Sequence, residues 1–588
     1  MKRSLAAVAL LLLAWSTAML RAADILPPVS ERFAPEKTDE APDFRHHVLP
    51  LMGRLGCNGR ACHGSFQGQG GFRLSLFGYD AQMDYDALMK GDHPRVDPKN
   101  VDKSLFLLKP SKQVDHEGGR RMAVDSWQYR LIRRWIQAGA KPVPPKQADF
   151  DHLEITPPEI VFANRDEHRA LRVVAVWKDG VREDVTPICR FRSNDDGICR
   201  IDAEGVVTSV AQGDTDVVAF YDNGVQPVPV ILPVSKQVGD QYPAVAAPTK
   251  IDQLILEKLR KVGIVPSEVA GDAEFLRRLS LDMTGTLPQP PEVAAFLADT
   301  SSDKRAKKID ELLERPAYAA WWATRFSDWT GNNSAQLQQI FQNGGVDGAM
   351  ISAQWYSWLF DRLQKNVDYD KIVQNILVSQ SREPGESYRD YCAKMLRLSQ
   401  GDPSEFAKNE TMPYYWARQN FRKPDEAVVG FCYTFLGLQI QCAQCHKHPF
   451  DQWSKRDFDK FAGFFTRIGV GVKPDGWEDY AELSKDADIG KGLNGKALRQ
   501  KLEELIKAGK SLPQREVYVG YKPGEKPPRL PKGDKAIRGV PPPPVGAATA
   551  SVLGGPSVDL KTVEDPRQTL MDWMLHDPSR YFARSIVD

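Results

Sequence analysis

The sequence predicts a multidomain chain: an α-helical N-terminal domain, an all-β sandwich, then a mainly α-helical domain that leads into a Pro/Gly-rich C-terminal linker. Three observations predict it. At 588 residues the chain is too long for one hydrophobic core, so several domains are expected. Apolar residues recur at three- and four-residue intervals before residue 141 and again after residue 250, which is the period of a helix face. Between those stretches, short runs rich in Val and Ile alternate with turn signals, the pattern of small antiparallel strands.

Composition bounds the partners. Hydrophobic residues make up 42% and charged residues 26% of the chain, with a formal net charge of +1. Such a balance gives no bulk attraction to nucleic acid or to an anionic membrane, so no nucleic-acid partner is expected. Lys2 and Arg3 followed by the apolar run Leu5–Trp15 have the form of a secretory signal over residues 1–23, with small residues at Ser16, Ala18 or Ala22 and Ala23 for cleavage. The alternative is an uncleaved anchor, for which the run falls short of the ~20 residues that span a bilayer. Export to the periplasm or cell surface is therefore expected, where thiols are oxidised or capped.

Taken in order, residues 24–43 are rich in Pro, Glu and Asp and read as a flexible leader. Phe44, Val48, Leu51, Met52 and Leu55 share a helical face that runs into Cys57, and Trp127, Leu131, Ile132, Trp135 and Ile136 form a second such face, bounding a domain over 44–141. Pro142–Lys146 is a stiff linker. Strand runs such as Leu171–Trp177 and Asp216–Tyr221, separated by Lys178–Val181 and Asn194–Gly197, make a sandwich over 152–235. Cys189 and Cys199 either pair across strands there or are buried separately. Helical periodicity returns over 250–467, in Ile251–Leu259, Phe275–Leu281, Pro291–Leu297, Ile309–Leu313 and Ala427–Leu436. Residues 470–556 read as a Pro/Gly-rich linker or insertion, and 557–588 as the start of a further, truncated domain.

The chemistry concentrates in two Cys-His motifs. Cys442-Ala443-Gln444-Cys445-His446 has the spacing of a c-type haem attachment site, in which two thiols bond the haem edge and the imidazole ligates iron. A metal site using His448 and a disulfide or inert pair are the alternatives. The stripe Phe458, Phe461, Phe464 and Phe465 either walls a haem or is plain core. Cys57-Asn58-Gly59-Arg60-Ala61-Cys62-His63 is a looser copy with four residues between the cysteines, for which a disulfide beside a structural His63 is the alternative. The loop Val114–Met122 offers His116 and Met122 as ligands for the opposite face, Met122 being slightly favoured. His46 and His47 are either metal ligands or surface residues, the latter being the simpler reading. Serine-hydrolase elbows, phosphate-cradling glycine loops and His-Glu-x-x-His are absent from the sequence.

Gly56–Gly64, Gly71–Asp80, Ser104–Pro110 and Tyr129–Gly139 resemble the planctomycete-type cytochrome c domain. That resemblance implies Cys57 and Cys62 as thioether residues and His63 as proximal ligand; the family pattern has two residues, not four, between the cysteines. Asp184–Thr186 and Asp202–Thr208 resemble a group 2 bacterial Ig-like domain, which implies a spacer or a module contacting the cell surface or a polysaccharide. Phe275–Pro288, Ala317–Trp322 and Cys442–Asp451 resemble a large secreted planctomycete family of unknown function. The reading that follows is an exported protein with one or two haem c groups and a redox partner protein, engaged in electron transfer. A peroxidase-like haem oxidoreductase and a non-redox surface scaffold are the alternatives.

Overall fold

The computed structural model describes residues 25–35, 38–90, 93–144, 149–337, 348–421, 423–448, 450–488, 495–529 and 540–587; the signal expected over 1–23 lies outside the described residues. The chain is a mixed α and β multidomain protein, with helices and small, mostly antiparallel sheets. It forms two compact units, Met1–Ser267 with Cys445–Lys455, and Glu268–Gln444 with Arg456–Asp588.

In the first unit both predicted helical faces are present. Asp43 caps the first helix by accepting the His46 N–H at 2.7 Å; the chain winds as a π-turn over Phe44–Val48 and continues as α-helix over Leu49–Arg54. Phe44, Val48, Leu51, Met52 and Leu55 are all buried. Ser126 caps the helix Trp127–Gln137, whose Leu131, Ile132, Trp135 and Ile136 are buried. Each such side chain contributes about 1.5–3 kcal/mol of apolar burial.

The β-rich stretch comprises β1 (Phe150–Thr156), β2 (Ile160–Val161), β3 (His168–Ala170), β4 (Arg172–Trp177), β5 (Arg182–Asp184), β6 (Arg190–Ser193), β7 (Cys199–Ile201), β8 (Val206–Ser209), β9 (Gly213–Tyr221) and β10 (Gly224–Leu232). They form three sheets, ordered β1-β4-β5, β2-β10-β9-β6 and β3-β8-β7, antiparallel except for β2 beside β10. Alternation does its expected work in β4: Val173, Ala175 and Trp177 point into one core, where they join Phe44, Trp135 and Ile136. The helical and β-rich stretches, expected as separate domains joined by a linker, therefore share a hydrophobic core. A second core, around Ile160, Phe162, Val217 and Val230, lies within the β-rich stretch.

Several expectations are corrected. Residues 24–43 are not simply a flexible leader: Val29–Arg32 is a helical turn, Leu26 pairs alongside Glu183, and Val29 and Phe33 are buried in the shared core. Cys189 and Cys199 are free thiols in different cores, which excludes a bridge between them. His47 is not on the surface. It is 6% exposed, with Nε2 on the Glu183 carboxylate and Nδ1 accepting the Asp43 N–H at 2.8 Å. His46 is half-buried, its ring 4.5 Å from that of Trp177, and burial holds its pKa below the ordinary value. On the helix Lys250–Val262, expected to bury its apolar face, Ile251, Leu254 and Ile255 are exposed.

The second unit is mainly helical, and its core includes Trp355, Trp358, Leu359, Phe431 and Phe461. The stretch over 470–556, expected as a linker or insertion, is folded over much of its described length. Glu516–Val519 pairs antiparallel with Ile468–Gly471, Trp477–Asp486 is a helix, and buried Glu516 accepts from Arg382 Nε at 2.6 Å. The stretch over 557–588 packs into this same unit: Tyr369 stacks on Phe582 at 5.1 Å, and buried Arg567 donates to the Ser379 carbonyl at 2.9 Å.

Candidate functional site

The first Cys-His motif is wound tightly. Gly56, with φ +81°, ends the preceding helix, and the Cys57 N–H returns to Met52 O at 2.9 Å. The Cys62 N–H bonds Gly59 O at 3.0 Å and the His63 N–H bonds Cys57 O at 3.0 Å. Gly64 must be glycine, because a Cβ there would lie 2.0 Å from Asn58 O. The two extra residues of the spacer are taken up as an exposed turn at Arg60 and Ala61. Both thiols and His63 consequently line the same cleft.

That cleft holds about 730 Å³ of unfilled space, counted to its open mouth. Met52, Phe72, Leu74, Leu105 and Phe106 give it apolar walls, and Arg95, Lys109 and Arg121 add cations. Two imidazoles line it, His63 and His116. The His63 Nδ1 is 3.0 Å from Phe72 O, and the His116 Nδ1 is 2.7 Å from Gly119 O. A carbonyl only accepts, so each Nδ1 carries a proton, the contact that orients a histidine whose Nε2 is to serve as a metal ligand. Burial also holds the His63 pKa below its ordinary value, which keeps the ring neutral. Gly118 permits the His116 geometry, since a Cβ there would meet the ring at 2.9 Å.

The thiols differ. Burial, reinforced by the neighbouring Cys62, pushes the Cys57 thiol up to about 12. Cys62 lies 3.9 Å from Arg121 Nη2. Neither is in a disulfide. Met122, the favoured distal candidate, is 4% exposed and packs in the shared core, away from the cleft lining. Among the two candidates the cleft contains His116.

The second motif divides between the units: Cys445 and His446 belong to the first, Cys442 to the second. Both thiols are exposed. The His446 Nδ1 is 2.6 Å from Lys447 O, and its ring lies 6.4 Å from Phe77 within the first unit. Lys447 is 4% exposed, and burial lowers its pKa to about 8. The His448 Nδ1 accepts the Phe450 N–H at 3.2 Å. Among the described residues no three His, Cys, Asp or Glu side chains form a group that could hold a metal ion. In the second unit Phe458, Phe461, Phe464 and Phe465 are buried among Phe431, Trp416 and Trp573, so the stripe is core of its own unit.

Residues 250–469 match the family described as PSCyt2, protein of unknown function (DUF1549). The match falls where the sequence placed a family of unknown function, over 250–467. The DUF1549 stretch carries the second motif and leaves the first outside it. No curated protein matches the chain. Among the described residues no helix is long and apolar enough to cross a membrane.

Sequence reasoning found both cysteines and both histidines of the cleft, because their spacing is local. It missed the cations Arg95, Lys109 and Arg121, which come from separate loops. Lys109-Pro110 and Arg120-Arg121, flanking the His116 loop, were the available signal.

Proposed function

We propose that the protein is an exported c-type haem protein that transfers electrons to or from a redox partner protein. The observation that carries this reading is the convergence of Cys57, Cys62, His63 and His116 on one cleft, with both imidazoles held through Nδ1 on backbone carbonyls. Cys57 and Cys62 would attach a haem, His63 would be the proximal ligand and His116 the distal one. When bound, haem supplies a one-electron couple whose potential depends on its axial ligands and burial. The chain's own part is positioning. Phe72 and Gly119 carbonyls aim the two rings, the apolar wall keeps water from the site, and Arg95, Lys109 and Arg121 offer counter-charge for anionic haem edges. His116 favours a carrier over a peroxidase-like enzyme, which needs an open iron position.

Cys442, Cys445 and His446 would hold a second haem c on the same chemistry. In this reading residues 44–141 act as the cytochrome c-like part, and the β-rich stretch acts as an Ig-like spacer that contacts the cell surface or a polysaccharide. The test is a haem-stained denaturing gel of protein made with the haem-attachment machinery, for wild type, for Cys57→Ala with Cys62→Ala, and for Cys442→Ala with Cys445→Ala. Each pair is expected to remove part of the stain. Full staining in the variant lacking all four cysteines would end the haem reading.

A further inference from the structure

The second unit contains another cleft, with about 1230 Å³ of unfilled space counted to its open mouth. Its walls bring together Trp416, Phe421, Phe465 and Tyr518 with several prolines. Three cations, Arg418, Lys423 and Arg515, line it, and no carboxylate does among the described residues. A cleft of one charge sign with apolar walls selects a ligand of the opposite sign.

Arg418 is the decisive group. It is only 7% exposed. Its guanidinium is fixed by stacking, with Cζ 3.9 Å from the Phe421 ring centroid and 4.5 Å from that of Tyr415, while Nε donates to Tyr415 O at 3.1 Å. Gly331 lies against the other edge: it ends the helix Pro316–Thr330 with φ +77°, and a Cβ there would lie 1.9 Å from Arg418 Nη1. Yet Nη2 is buried with no hydrogen-bond partner among the described residues. An arginine cannot shed its charge to relieve this, so a buried N–H held rigidly without an acceptor costs stability unless something arrives to accept it. Arg418 thus holds a fixed positive charge at the cleft wall.

We propose that this cleft binds a small organic carboxylate with a flat, apolar body. The carboxylate pairs with the charge of the Arg418 guanidinium at the cleft wall, with exposed Lys423 adding charge at the cleft edge, and the body lies against the rings. The three cations, with no acid among the described lining residues, select the head; the aromatic and proline walls select the body. The site is independent of the haem reading, since none of its lining residues is a cysteine or histidine assigned to a haem.

The test is isothermal titration of the full chain with benzoate, acetate and benzamide. Benzoate carries both features, acetate only the charge, benzamide only the ring. Benzoate is expected to bind at least about tenfold more tightly than either, because a site built around a charge-assisted hydrogen bond rejects a ligand lacking it. Arg418→Met is expected to lose at least about tenfold in benzoate affinity with a thermal midpoint equal to or above wild type, as an apolar isostere removes an unpaired buried charge. Should that variant fail to fold, Lys423→Ala, at an exposed position, is expected to weaken benzoate by about twofold or more and leave benzamide unchanged. Equal affinity for benzoate and acetate, no saturable benzoate binding, benzoate binding undiminished in a folded Arg418→Met, or unchanged benzoate affinity in Lys423→Ala would overturn the proposal.

Discussion

The Nε2 atom of His47 lies 3.1 Å from the Oε1 atom of Glu183 in the interior of the first unit, across 136 residues of sequence. Arg32, from the N-terminal turn, binds the same carboxylate. One buried acid thus ties the strap before the first motif, the helix leading into that motif, and strand β5.

Glu183→Ala leaves a guanidinium and an imidazole facing a buried gap, and the expected loss is about 3–5 kcal/mol of stability. Glu183→Gln, which keeps an acceptor, is expected to lose less. Denaturant unfolding of both variants checks this, and equal losses would show that the charge, and not a retained acceptor, is all that Glu183 contributes.

Asp84 sets a pH dependence. It is fully buried on the helix Ala81–Met89 and accepts from the Ser75 N–H and hydroxyl, anchoring the segment whose Phe72 carbonyl aims His63. Burial outweighs those hydrogen bonds and pushes its carboxyl up to about 7. In the unfolded chain it titrates near about 3.9. Between these values the folded state holds a proton that the unfolded state has released. Stability from this group is therefore complete at low pH and falls as pH rises through the window, by up to about 1.4 kcal/mol per pH unit. Asp84→Asn, whose oxygen can still accept the Ser75 N–H while its amide donates to the Ser75 hydroxyl in place of accepting from it, is expected to flatten that slope. Thermal midpoints across the window measure it, and an identical slope in the variant would assign the dependence elsewhere.

His116 and Met122 separate spectroscopically. In haem-loaded protein His116→Ala is expected to change the visible spectrum and the reduction potential, whereas Met122→Ala keeps the ligand bands and costs about 2–5 kcal/mol as a core truncation. The reverse pattern would restore methionine as the ligand.

Gly331→Ala is expected to lower the thermal midpoint and abolish benzoate binding, because the new methyl occupies the place of the Arg418 guanidinium. Gly509→Ala is the control: its φ is +70°, but no atom lies within 4 Å of a Cβ there. That substitution carries backbone strain alone, about 1–2 kcal/mol, and should leave benzoate binding intact.

The parts legible in sequence were those written locally. Phe44 to Leu55 and Trp127 to Ile136 announce their helices by spacing, and Cys57, Cys62, His63 and His116 sit close enough in sequence to nominate themselves. What was illegible depends on distant partners. Val29 and Phe33 lie in a Pro- and Glu-rich stretch with no period, and only the core they enter makes them structural. Glu516–Val519 reads as linker because its strand partner, Ile468–Gly471, is far upstream. Trp177 and Trp135 give no sign that one core holds both. Met122 is slightly favoured over His116 by sequence because packing into the core and away from the cleft lining has no sequence signature. Nor could Arg418 be told from any surface arginine until its neighbours left Nη2 without an acceptor.

The assignment of residues 445–455 to the first unit has a bearing on biosynthesis. Domains ordinarily fold as they leave the ribosome, amino-terminal first. Here a piece of the first unit, including Lys447 and Trp453, both buried, is encoded after the stretch Glu268–Gln444 of the second. A fragment ending at Ser267 is thus a domain with a missing part, and a cut anywhere between the units removes that part from one product and strands it on the other. Dissection of this protein calls for a graft: residues 445–455 rejoined to the first unit through a short loop, instead of a truncation.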